Sequence, residues 1–175
     1  MGITVYAPAP TPSDEAARER AVLSSGALDA RNDSILIELV EQARQRFGTG
    51  MAAVSILSRD WQYLIAAAGV SSRTYSRRMS LCGHAIITPQ AVFCVEDARA
   101  DARFADNPVL IDGGQVRFYA GAPLVDADHL PIGTFCVFDR TPRADFGAYD
   151  QMHLKQLADA TIARLAMRRA DRPAT

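Results

Sequence analysis

The apolar positions change period along the chain, and the changes outline its elements. The stretch around Pro8, Pro10 and Pro12 has no period, and its prolines alternate with small residues, so residues 1–11 read as a loose tail. Thr11, Pro12, Asp14 and Glu15 then spell a helix start: a hydroxyl cap, a proline at the first helical position, and acids at the positive end of the helix dipole. This helix is expected to stop near Ser25-Gly26. Asn32 or Asp33 caps a second helix, in which Ile35, Leu36, Leu39, Val40, Ala43 and Phe47 form one stripe at helical spacing. Gly48 supplies its exit.

Beyond Gly48 the helical period gives way to short apolar runs. Ala52–Leu57 and Trp61–Ala68 are predicted strands, joined as a hairpin by Ser58-Arg59-Asp60. Leu81–Thr88 reads as a short helix or turn ended by Pro89, and Val92–Val95 as a third strand. Residues 97–114 are polar, contain Pro108 and end in Gly113-Gly114, which predicts a long crossover with one or two helical turns. Val116–Val125 and Ile132–Asp139 are the fourth and fifth strands, with Asp126-Ala127-Asp128-His129 between them. The fifth strand is apolar at both parities: Ile132, Cys136 and Phe138 on one, Phe135 and Val137 on the other. Such a strand is covered on both faces and belongs in the middle of a sheet. A last helix runs from Tyr149 to Arg169, with Leu154, Leu157, Ala158, Thr161, Ile162 and Leu165 as its buried stripe. Hairpins between terminal helices predict an α+β fold with a mainly antiparallel sheet.

The length, 175 residues, is that of one domain, expected over 12–170 with tails at 1–11 and 171–175. A net charge of -1, from 19 basic and 20 acidic residues, creates no field that would favour nucleic acid or an anionic membrane as partner. Arg73, Arg77 and Arg78, like Arg164, Arg168, Arg169 and Arg172, read as solvated faces or helix-end charges. The apolar run Tyr63–Val70 is far shorter than the ~20 residues a membrane-spanning helix needs. No charged-then-apolar leader is readable. Three widely spaced cysteines, Cys82, Cys94 and Cys136, argue against a disulfide framework and for a reducing cytoplasm.

Familiar catalytic patterns (GxSxG, GxGxxG, a P-loop, HExxH) do not occur, so no catalytic residue is assigned. Metal and nucleotide cofactor signatures do not occur either, and any cofactor stays unknown. The chemistry-bearing positions are few. Cys82 and His84 flank Gly83; they suit a ligand contact or a redox thiol, or else a small buried thiol beside a histidine bonded to backbone. A zinc site needs four ligands, and only Cys94, Cys136 and scattered acids could complete one, so no metal is expected. Arg117 and Tyr119 share one side of the fourth strand, opposite Phe118, Ala120 and Ala122. Arg117 either grips a ligand's carboxylate or phosphate, favouring an anion-bearing molecule, or pairs with Asp97, Asp101 or Asp106. Phe104, within residues 97–107, reads as the aromatic of a lid or of a plain loop.

Two stretches resemble a known family. Leu81-Cys82-Gly83-His84-Ala85-Ile86, followed by Val95-Glu96-Asp97-Ala98 and Asp101-Ala102-Arg103-Phe104-Ala105-Asp106-Asn107-Pro108, is similar to the middle of a bacterial GAF domain. Val116–Leu124 and Ile132–Asp139 with Pro142-Arg143 resemble its last two strands. The departures are Leu81, where this subgroup usually has Phe, and a 126–129 loop without the usual turn glycine. The resemblance implies a PAS-related sheet of five to six strands. Terminal helices, often dimerising, would cover one face, and crossover segments would roof a pocket on the other.

It also implies a cytoplasmic, non-catalytic sensor for a small molecule of unknown identity, acting as a homodimer on an output that follows elsewhere or lies in a separate protein. The ligand-binding candidates are then Cys82, His84, Asp97, Phe104, Arg117, Tyr119 and Cys136. Three alternatives stay open. A cysteine-dependent enzyme of the free methionine sulfoxide reductase type is similar in its Leu-Cys-Gly turn, but residues 61–79 and 97–114 contain no cysteine. Phytochrome-like members attach a bilin to a cysteine beside a histidine, whereas Gly83 separates the two here. A dimerising module without ligand would fill its pocket with Phe93, Cys94 and Cys136.

Overall fold

A computed structural model describes residues 6–71, 73–108, 110 and 115–171. Gly113-Gly114, Arg172 and the ends of both tails lie outside the described residues. Among the described residues, the α-helices α1 (Glu15–Ser25), α2 (Ser34–Phe47), α3 (Leu81–Ala85) and α4 (Ala148–Ala170) accompany six strands. The strands are β1 (Met51–Ser58), β2 (Trp61–Ala68), β3 (Thr74–Ser76), β4 (Phe93–Val95), β5 (Phe118–Val125) and β6 (Pro131–Asp139). They form one sheet in the order β3-β2-β1-β6-β5-β4, with every pair antiparallel. The fold is therefore α+β. Among the described residues no helix is long and apolar enough to cross a membrane.

β6 sits in the middle, between β1 and β5. All eight residues of β1 and the first seven of β6 are buried. Leu36, Val40, Val54, Phe118, Phe135 and Leu154 build the core between the sheet and α1, α2 and α4. Leu57, Leu64, Leu81, Ile86, Phe104 and Cys136 belong to a second core on the opposite face. Ile132 departs from the simple alternation. The β5 partners of Pro131 and Gly133 are the neighbours Val125 and Leu124, so Ile132 is an extra residue, and it joins Phe135 and Val137 on the helix side.

Three local readings change. Asp14, not Thr11, caps α1 by accepting from Ala17 N, and Gly26, at φ +69°, ends the helix. Residues 6–12 have no regular secondary structure, yet they are held along α3. Ala7 N donates to Arg103 O at 2.9 Å and Ala9 N to Arg78 O at 2.8 Å. Gly83 permits this crossing, because a Cβ there would stand 2.6 Å from the Ala9 methyl. β3 was not predicted; its three residues are too few to show a period, and it forms by pairing with Trp61–Tyr63.

Two carboxylates pin the helices. Glu15 binds Arg18 and Arg77, while the fully buried Arg18 also donates to Leu57 O at 2.7 Å. Burial would raise the Glu15 carboxyl, but the two guanidiniums bring it down to about 2. Asp33 caps α2 through Ile35 N and Leu36 N and receives Arg164 (2.9 Å) and Arg168 (2.6 Å) from α4. The Arg164 hydrogen bond first, then those of the Leu36 amide and Arg168, overcome burial and hold Asp33 near 2, against an ordinary 3.8. A carboxyl lowered on folding contributes fully above its unfolded value, and the contribution fades as pH falls through the folded value. Asp33→Ala is therefore expected to lose about 1–2 kcal/mol at pH 7, of which the cap is the main part. It should also lose less stability than the wild type between pH 4 and 2. Urea unfolding at both ends of that range measures both effects.

Candidate functional site

The roof over the second face is thinner than the helical layer. It consists of α3, the turn before it and the segment from Asp97 towards Leu110. Beneath it lies a cavity of about 310 Å³. Gln62 and Leu64 of β2, Val70 and Ser71 after it, Met79–Cys82, Leu110, Val116 and Tyr119 contribute to the wall, with Cys136, Phe138 and Arg140 from the end of β6 and beyond. Ser80 shapes the α3 side by accepting from Gly83 N at 2.9 Å.

Three candidate residues meet at this cavity. The Cys82 and Cys136 sulfurs are 4.0 Å apart, and the Tyr119 hydroxyl donates to Cys82 Sγ at 3.2 Å. Tyr119 reaches the thiol by lying along its own strand, over Gly121. A Cβ at Gly121 would come within 2.2 Å of the phenol oxygen, so only glycine leaves room for that ring position. Ser55 and Thr134, paired across β1 and β6, share strand parity with Ala53 and Cys136 and so face the same side. Their buried hydroxyls, like Gln62 Oε1, have no hydrogen-bond partner among the described residues. Burial opposes ionisation of Cys82. The hydrogen bonds with Cys136 and Tyr119, helped by the dipoles of the nearby Thr134 and Ser55 hydroxyls, outweigh it and bring the thiol below the usual cysteine range. The shared proton and burial together push Cys136 up. Burial, then the two thiols, push Tyr119 up, so the phenol stays a neutral donor.

The other four candidates lie outside the cavity wall. The His84 ring points to the N-terminal segment and contacts Ala7 O at 3.1 Å; a carbonyl only accepts, so Nε2 carries the proton. Burial lowers the His84 pKa. Phe104 is fully buried within the roof, with its ring edge to face with His84 at 4.9 Å. Arg117 gives its guanidinium to Asp97, with Nε 2.7 Å from Oδ1 and a second bond to Oδ2. This pair, with Ala98 N donating to Arg117 O, fastens the crossover to the start of β5. Gln62, Ser55, Thr134 and Arg140 were not singled out from the sequence. An inward-facing glutamine between Trp61 and Leu64 was the available signal. Among the described residues no three of His, Cys, Asp and Glu cluster closely enough to hold a metal ion.

Comparison with known proteins now bears on this arrangement. A family model described as GAF domain matches residues 31–165. The chain belongs to the GAF domain family. This GAF domain is 38% identical over 156 residues to a cyclic di-GMP phosphodiesterase of Pseudomonas aeruginosa, covering 89% of this chain. It spans 26% of that relative's length. The free methionine-R-sulfoxide reductase of Neisseria meningitidis, solved with its substrate, matches with a TM-score of 0.64 at 21% identity, over 97% of this chain and 99% of that one. The blue-light absorbing form of the Thermosynechococcus elongatus PixJ GAF domain matches with 0.64 at 14% identity, over 81% and 88%. The two structures share the fold of this GAF domain.

Tyr119→Phe removes one donor to the Cys82 sulfur and leaves the ring in place. The pH midpoint for alkylation of Cys82 is expected to rise, as followed by peptide mapping after timed iodoacetamide labelling. An unchanged midpoint would show that the hydroxyl does not tune the thiol.

Proposed function

We propose that this GAF domain is a non-catalytic regulatory sensor whose ligand occupies the cavity between sheet and roof. The observation that carries this reading is the cavity itself: about 310 Å³, with Gln62 Oε1 buried and unpartnered at its wall. Pockets of this size hold compact small molecules, and a few fixed polar groups orient them. The ligand class that fits has an apolar body and a hydrogen-bond donor for Gln62. Arg140, exposed and at the cavity's edge, suits an anionic end. Arg117 is committed to Asp97 and takes no part in this role.

Occupancy would be passed to the terminal helices as a population shift. Support for this comes from the Glu15–Arg77 bond, which joins α1 to the turn just before the cavity-lining Met79 and Ser80. Leu23 of α1 and Met167 of α4 are both 59% exposed, which suits pairing of two copies through these helices. The relative of which a matching stretch forms about a quarter supports an output carried by other segments or another protein.

A metabolite panel followed by thermal unfolding tests the reading. A ligand at ~100-fold excess over its Kd is expected to raise Tm by about 5–10 °C. Val70→Trp, which puts a bulky ring into the cavity wall, should abolish that rise. Light scattering on the same samples should show a dimer. A panel without any shift, or a shift that survives Val70→Trp, overturns the proposed site.

Turnover is the second test. Free methionine sulfoxide incubated with the protein and dithiothreitol should be recovered unreduced. Reduction that disappears in Cys82→Ser would overturn the non-catalytic reading.

A further inference from the structure

The thiols in the cavity wall carry a possibility that ligand sensing does not use. Cys82 and Cys136 approach within 4.0 Å from elements 54 residues apart in sequence, and both border a cavity that small molecules can enter. Cys94, on β4, lies outside that cavity. We propose that Cys82 and Cys136 form a dithiol site that hydroperoxides oxidise to an intramolecular disulfide, and that the disulfide narrows the ligand cavity.

The chemistry balances with hydrogen peroxide as the oxidant. The Cys82 sulfur, as thiolate, attacks one peroxide oxygen. The O–O bond breaks, a sulfenic acid forms, and the departing hydroxide takes up a proton to become water. The Cys136 sulfur then attacks the Cys82 sulfur and displaces that oxygen as a second water. Two electrons pass from the two thiols to the peroxide, and the two thiol protons end in the two waters. Cys82 is the fitting first nucleophile. Tyr119 O–H points at its sulfur at 3.2 Å and favours its thiolate, whereas the proton shared with Cys82 and its own burial disfavour a thiolate at Cys136.

The bond requires the sulfurs to close from 4.0 Å to about 2.05 Å. β6 cannot supply that movement, because β1 and β5 hold it on both sides. α3 can: it has five residues, is not part of the sheet, and packs on the second core through Leu81 and Ile86. Drawing α3 towards the sheet carries Leu81 and Cys82 into the cavity they border. Disulfide formation and ligand occupancy are then mutually antagonistic, since each disfavours the geometry the other needs.

The intact reduced chain, treated with hydrogen peroxide, denatured and labelled with a maleimide, provides the test by peptide mapping. Of three cysteines, only Cys94 should retain a label, and the Cys82 and Cys136 peptides should appear cross-linked until dithiothreitol is added. Cys136→Ser should stop after the first step, with Cys82 trapped as a dimedone adduct, and Cys94→Ser should behave as the wild type. Retention of all three labels, oxidation that begins at Cys94, or conversion of Cys82 to sulfinic acid without a cross-link overturns the proposal. The mapping on the wild-type chain decides even where a serine variant fails to fold, and it needs no ligand, so its failure leaves the sensing reading untouched.

Discussion

Everything in this molecule follows from a sheet whose two central strands are apolar on both faces. β1 and β6 are buried almost throughout, and each large side chain withdrawn from water there contributes roughly 1.5–3 kcal/mol. Neither face can be left wet, so two different covers are required. Long helices supply one, and an apolar core packs between them and the sheet. The other is assembled from a five-residue helix and a polar crossover. A cover of that kind closes the sheet against solvent without filling it, and the cavity is the space that remains.

The thin cover must still be held down, and charge does this where apolar packing is scarce. Arg117 and Asp97 fasten the crossover to the sheet, Glu15 and Arg77 fasten the turn before α3 to α1, and the N-terminal segment crosses α3 at Gly83. Arg18 is wholly buried beside Glu15, which makes that junction costly to break: removing one partner of a buried pair leaves an uncompensated charge. The junction therefore couples two parts of the chain that share little apolar contact, the first helix and the wall of the cavity.

Sequence reasoning reached what depends on period and local chemistry. The two-sided pattern of β6 located the sheet centre, Gly48 and one of Asn32 and Asp33 bounded α2, where Asp33 is the cap, and the alternation of Phe118, Ala120 and Ala122 against Tyr119 sorted β5 between its two covers. Features made by partners distant in sequence were beyond it. β3 is too short to have a period of its own, and the extra residue at Ile132 comes from the register with β5. Around Cys82 the sequence offered a motif; only folding brings Cys136 and Tyr119 to the same sulfur. For Arg117 the two readings, ligand clamp and ion pair with Asp97, were indistinguishable from spacing alone, and the geometry shows the ion pair.

The residues that a ligand-free dimerising module would use to plug its pocket are placed otherwise. Phe93 of β4 stacks on His84 of the roof at 6.1 Å, and Cys94 packs against the helix-side core. Of the three, only Cys136 reaches the cavity. The cavity wall also keeps Gln62 with an unpaired buried oxygen, and such a group opposes folding by about 1–3 kcal/mol. An apolar side chain at that position would remove the penalty. An unpaired oxygen in the wall of an unfilled cavity is therefore suited to a guest that supplies the missing hydrogen bond, and it is poorly explained by packing alone.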